Sequence, residues 1–137
     1  MKKIDFHIHT IPTISDSVFN FELDKIKEYV DRLNIDAIAI TNHNLFDQNQ
    51  FNLIKESLSI TVFPGIEINL DGGHLLLIAE NDEFEVSNFE EKCKLVNAKI
   101  ITNTDSLSLE EFKTIFPEIN IFLFRIMTKT QKLSNQL

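Results

Sequence analysis

Residues 35–44 read IDAIAITNHN. The run Ile35 to Ile40 has the length of a strand, and its near-continuous apolarity is that of a strand covered on both faces in a parallel sheet. The polar run Thr41-Asn42-His43-Asn44 follows at once. That is where α/β folds gather ligands and catalytic groups, although any strand-to-helix turn is built of similar residues.

Outward from this strand the apolar period switches repeatedly. Residues 3–8 read as a strand, with Phe6 and Ile8 on one face and His7 and His9 on the other. In 20–33 the residues Ile26, Val30 and Leu33 recur at helical spacing, with Asn20 as N-cap and Glu22 and Asp24 in the first turn. Asp47 and Gln50 form a D-x-x-Q capping box ahead of a helix over FNLIKESL. Ile60 to Asn69 is strand again, interrupted or entered at Pro64-Gly65. A turn at Asp71-Gly72-Gly73 leads into HLLLIA, so that 66–79 forms a hairpin. Two S-x-x-E boxes, Ser87 to Glu90 and Ser108 to Glu111, flank a strand at Lys99 to Thr102, and a last strand is expected at Ile119 to Ile126. The pattern is that of an α/β fold, an open sheet or part of a barrel.

At 137 residues the chain is long enough for one domain, and its 43% apolar and 25% charged content is that of a globular protein. No apolar stretch approaches the roughly 20 residues of a membrane span, and the amino terminus lacks the h-region of a signal peptide. A cytoplasmic location and no membrane partner are therefore expected. The single cysteine, Cys93, has neither a disulfide partner nor a CxxC companion. A net charge of −8 argues against a broad phosphate-neutralising surface. It leaves room for a phosphorylated substrate, because divalent cations reverse the field of an acidic pocket.

The four histidines, His7, His9, His43 and His74, all fall in or beside expected strands. His7 and His9, at i and i+2, can present two ring nitrogens to one point, which suits a metal; an ordinary structural or surface pair has the same spacing. Glu67 stands between isoleucines, where an unpaired buried carboxylate would cost several kcal/mol, so a cation or a solvent-facing edge must compensate it. His74 opens HLLLIA, next to a turn that would also suit a solvent-exposed histidine.

DFHIHT, ITNHN and PGIEIN, in this order, resemble the first three motifs of the PHP family, the polymerase and histidinol phosphatase domain. The resemblance covers roughly residues 1–80. It implies a distorted seven-stranded α/β barrel, the (β/α)7 type, whose strand ends hold one to three divalent metals and which hydrolyses phosphate esters with metal-activated water. It implies His7 and His9 as first-motif ligands, His43 as second-motif ligand and Glu67 as a carboxylate bridging two metals. His74 is similar to the histidine that begins the following strand in many members, and Asp16 to the acid that often follows the first motif. Zinc, manganese or iron all suit such ligands. The expected substrate is a phosphorylated small molecule or a nucleic-acid end. The wording NHNLFD and DFHIHTIP resembles PHP domains fused ahead of large ATPase modules, which implies an ATPase partner.

The chain also departs from that family. Asn42 stands where most members have Asp, which removes a charge beside His43 and is expected to weaken its orientation or the hold on metal. No histidine follows His74, and only about five strands with intervening helices are expected. The reading is thus an incomplete barrel: a partial PHP-like domain over 1–120 and an atypical basic tail over 121–137, the tail being explained by a truncated or shifted reading frame. Its alternative is a truncated, catalytically inactive module with partial metal binding and a structural or interaction role. An incomplete barrel leaves strand edges for a second copy or a partner chain to complete.

Overall fold

A computed structural model describes residues 1–118. The expected strand at Ile119 to Ile126 and the basic tail lie outside the described residues. The order of elements is β1 (Ile4–Ile8), α1 (Leu23–Leu33), β2 (Ala37–Ile40), α2 (Gln48–Ser57), β3 (Thr61–Leu70), β4 (Gly73–Ile78), α3 (Glu83–Lys99) and α4 (Leu109–Ile115). The four strands form one sheet in the order β1-β2-β3-β4. The first three are parallel and β4 is antiparallel to β3, so the sheet is mixed and curls as half a barrel. Among the described residues four strands are present, rather than about five.

Register divides the sheet into two faces. Ile38 pairs with Val62, while Ala39 pairs with Phe63 and Glu67 with Leu76. Val62, Ile66 and Ile68, each 0% exposed, therefore share the face of Ile38 and Ile40 and meet the helices, among them Phe51 and Ile54 of α2 and Phe112 of α4. Burying each such side chain contributes about 1.5–3 kcal/mol. Phe63, Gly65, Glu67 and Asn69 alternate onto the opposite, concave face.

β1 does not alternate as expected. Its register with β2 slips between Asp5 and Ile8, and an extra residue accommodated there turns neighbouring side chains to one face. Phe6 consequently meets Phe63 edge-on at 5.7 Å on the concave face that also receives His7, while Ile8 packs into the helix-covered core. Asp5 accepts hydrogen bonds from the His7 N–H (3.0 Å) and the Tyr29 hydroxyl (2.5 Å) of α1.

Pro64 and Gly65 do not interrupt β3. Pro64 is the last residue of β3 in its continuous ladder with β2, and its carbonyl still accepts from Ala79 (2.9 Å). Gly65 is required by space. A Cβ there would stand 2.8 Å from Thr41 Cγ2 and 2.9 Å from the Leu77 carbonyl oxygen, so a glycine lets three strands close up beneath Glu67. The hairpin turns at Asp71-Gly72, where Gly72 takes φ 84°, a conformation costly to any residue with a Cβ.

Three helix boundaries differ from expectation. α1 begins after Glu22 rather than Asn20, with no side-chain cap, and ends on Asn34 in the left-handed region. α3 begins after Asp82, whose carboxylate accepts from the N–H groups of Phe84 and Glu85, and it runs through Ser87 to Lys99, the first residue of the expected strand, with Ile100 as its C-cap. Ser87 and Glu90 reach instead to the start of α2, accepting from the Gln48 side chain (3.1 Å) and backbone (2.7 Å). Residues 101–105 then form a turn held by Asp105, which accepts from the N–H groups of Ile101 and Thr102 at 2.8 and 2.9 Å. The Ser108–Glu111 box is formed in full, and Asp47 caps α2 by accepting from the Gln50 N–H.

Candidate metal centre

The carboxyl ends of β1 and β2, the middle of β3 and the start of β4 meet on the concave face. β1 ends in His7 and Ile8, with His9 just beyond; β2 is followed by His43, which bridges to Glu67 of β3; His74 is the second residue of β4 and pairs with Asn69. Asp16 enters from the segment between β1 and α1. The six residues singled out from sequence, His7, His9, Asp16, His43, Glu67 and His74, are thus brought together.

Glu67, 3% exposed, is their centre. Its Oε1 lies 2.6 Å from His7 Nε2 and 2.9 Å from His9 Nε2, and its Oε2 lies 3.3 Å from His74 Nδ1 and 3.8 Å from His43 Nδ1. Asp16 Oδ2 accepts from the Thr13 N–H and hydroxyl, each at 2.9 Å, which leaves Oδ1 aimed at His9 Nδ1 (3.3 Å) and His43 Nε2 (3.5 Å). The four rings stand in a row, with centroid separations of 5.0 Å from His7 to His9, 4.4 Å from His9 to His43 and 5.9 Å from His43 to His74.

Protonation follows from this packing. Burial pushes the Glu67 carboxyl up, but hydrogen bonds from His7 and His9 and the nearby His43 overcome it and hold the group well below the usual carboxylate range. Burial pushes the His43 imidazole down against the pull of Glu67, and neighbouring His9 adds to the lowering. An ionised carboxylate beside a neutral imidazole is the state in which both act as ligands.

The donors fit a divalent cation. They form three overlapping triads, His7-His9-Glu67, His9-Asp16-His43 and His43-Glu67-His74, with the ligand atoms of each within 4.8 Å of one another. His43 Nδ1 is buried without a hydrogen-bond partner, a state that protein structures rarely leave uncompensated. A cation between it and the Glu67 carboxylate would compensate it.

Asn42 does not orient His43. Its Oδ1 accepts from the N–H groups of Thr10 (2.7 Å) and Ile11 (2.9 Å), and its Nδ2 donates to Thr10 Oγ1 (3.1 Å), clamping the chain just after His9. Gln50 completes the clamp from α2: its Oε1 accepts from the Thr10 hydroxyl and its Nε2 donates to the Thr10 carbonyl (3.2 Å). Asn44, in the left-handed region at φ 54°, accepts from the Asn69 N–H through its side chain (2.8 Å). Asn97 of α3 donates to its carbonyl (2.9 Å). The reading from sequence missed this support. Its one local signal was Gln50, a capping-box residue whose side chain is spent elsewhere.

No protein-family model matches the chain. No curated protein matches it in sequence. Among the described residues no helix is long and apolar enough to cross a membrane.

Proposed function

We propose that this chain is a metal-dependent phosphoesterase of the PHP type, built on an incomplete barrel, with His7, His9, Asp16, His43, Glu67 and His74 holding zinc, manganese or iron. The observation that carries the reading is the convergence of four imidazoles and two carboxylates around one buried glutamate. A buried carboxylate surrounded by ring nitrogens with a neutral neighbour supports a ligand set over a structural ion pair. Glu67 belongs to two triads and so suits two adjoining cations, the second being the His43-Glu67-His74 set.

A cation held there supplies Lewis-acid polarisation of a phosphoryl oxygen and lowers the pKa of water toward about 7. The chain's own residues do the rest. Asp16 Oδ1 holds the ring of His9 from its Nδ1 side, which would leave Nε2, on the Glu67 side, to meet a cation. The Thr10-Asn42-Gln50 clamp sets where the chain leaves β1 and therefore where His9 stands. His7, with its side chain 29% exposed, is the most open of the four rings and faces arriving substrate.

Metal analysis of purified protein tests the reading. Wild type should retain close to one or two equivalents of metal, and His43→Ala should retain less. No metal in wild type after incubation with zinc, manganese and iron would sink it. One observation favours a second reading, a metal-binding module without turnover: among the described residues every candidate ligand lies at or before His74, and four strands close only half a barrel. Metal-loaded, folded protein that hydrolyses neither a phosphomonoester nor a phosphodiester would select that reading.

A further inference from the structure

Two clefts leave the histidine row in different directions. One, of about 380 Å³, opens at His7 and His9 and is walled by Phe19, Phe21, Lys25 and Tyr29. The other, of about 370 Å³, opens at His43 and Asn44 and is walled mainly by Ile14, Leu45, Ile100 and Ile101. The segment between β1 and α1 divides them. Its Pro12-Thr13-Ile14 part borders the second cleft, its Phe19-Asn20-Phe21 part the first, and Asp16 between them touches His9 and His43.

Resting on the phosphoesterase reading, we infer that the substrate is a phosphodiester, with one organic group in each cleft and the phosphorus over the ring row between them. A monoester has a single organic group and would leave one cleft unused. Charge supports the choice. Among the described residues Lys25 is the one cationic side chain lining either cleft, and Glu22 already stands 3.4 Å from its Nζ. Beyond any cations on the ring row, the walls therefore bring little positive charge, which suits the single negative charge of a diester better than the dianion of a monoester. The Phe19 and Phe21 rings offer the first group a flat apolar face, as a nucleobase or another aryl group requires. The second cleft mixes its aliphatic walls with Thr13, Asn44 and Asn97 and offers no ring, so it accepts a group without such a requirement.

The test compares bis(p-nitrophenyl) phosphate with p-nitrophenyl phosphate at saturating manganese. It uses wild type, Phe19→Ala/Lys25→Ala and Ile14→Ser/Ile101→Ser; Ile14 and Ile101 are 56% and 79% exposed, so the last pair should fold normally. Wild type should prefer the diester in kcat/KM, and each double variant should raise KM for the diester about tenfold. A readout free of turnover accompanies it. In chelator, amide shifts on adding dithymidine monophosphate should appear at both 19–25 and 100–101, whereas thymidine monophosphate should move one set alone. Preference for the monoester, or dinucleotide shifts confined to one cleft, would overturn the inference while leaving the phosphoesterase reading standing. Absence of turnover on both esters with manganese, zinc and iron would overturn that reading, and this inference with it.

Discussion

Glu67→Gln is the perturbation that most directly separates a metal centre from a structural cluster. The amide keeps the shape of the carboxylate and removes its charge. In wild type Oε1 accepts from His7 and His9 at 2.6 and 2.9 Å, lengths characteristic of charge-assisted bonds. A hydrogen bond to a charged group contributes about 1.5–3 kcal/mol and a neutral one about 0.5–1.5, so each bond loses about 1–1.5 and the two together about 2–3 kcal/mol. At about 4 °C per kcal/mol for a domain of this size, Tm of the chelated protein at pH 6 should fall by about 8–12 °C. Zinc then supplies the decisive arm. At a concentration of about 100 times Kd it should stabilise wild type by about 2.7 kcal/mol, or about 11 °C. A site weakened a hundredfold gains only about 0.4 kcal/mol at that concentration, or about 2 °C. Calorimetry of wild type, Glu67→Gln and the exposed-acid control Glu28→Gln, each with chelator and with zinc, reads both effects. A zinc-induced rise in Glu67→Gln equal to that of wild type would mean that Glu67 is not a ligand.

Four further outcomes are expected. Both His43 and Glu67 bind protons less readily folded than unfolded, so the stability they confer is present above the unfolded values. It is lost from about pH 6.5 downward for His43 and from about pH 4.3 downward for Glu67; urea midpoints of chelated protein should fall steadily from pH 7.5 to 4, and a flat profile would contradict this. Gly65→Ala should cost about 1–3 kcal/mol in urea unfolding, since its Cβ would meet strand backbone as well as Thr41; an unchanged midpoint would mean that the strands can part. Cys93 is 1% exposed, and burial, then Glu90, pushes its thiol up, so an aromatic disulfide reagent should label it only as the chain unfolds; prompt labelling of native protein would count against the α3 packing. Asn42→Asp should keep the two bonds accepted from Thr10 and Ile11 but bury a charge and lose the donation to Thr10, costing about 1–3 kcal/mol, with zinc affinity within about threefold of wild type. A marked rise in zinc affinity would show that the position acts on His43 after all.

What was legible in the sequence were features whose physics is local. IDAIAI announces a buried parallel strand because nothing polar interrupts it after Asp36, and the Asp71-Gly72 turn announces a hairpin because few residues take φ 84°. The Ser108 box was legible for the same reason: its partners are three residues apart. The Ser87 box has the same spelling and a different fate. Asp82 had already capped the helix upstream, and the freed Ser87 and Glu90 side chains found the start of α2, about 40 residues away in sequence. The stripe Val86, Phe89, Cys93 and Val96, all buried, carries α3 to Lys99, and the turn held by Asp105 takes up the rest of the strand-like run expected there.

The candidate site divides along the same line. His7, His9, His74 and Glu67 are conspicuous in the chain because histidines and an isoleucine-flanked glutamate are out of place on or beside apolar strands, and His43 follows one closely; Asp16, in a loop, was marked only by the family resemblance. The site's supports are not conspicuous. Asn42, Thr10 and Gln50 are ordinary loop and helix residues until the fold brings them into one buried cluster, and their roles depend on sequence separations of 32 and 40 residues. This is why substituting amide for acid at 42 reads so differently in the two views. Beside His43 in sequence, Asn42 looks like a lost second carboxylate; in space it is a backbone clamp that needs both an acceptor and a donor, which an amide supplies and an ionised carboxylate does not. The cluster then holds two carboxylates, Glu67 and Asp16, against four imidazoles. A third carboxylate at position 42 would add its charge to the clamp after β1, where no histidine receives it.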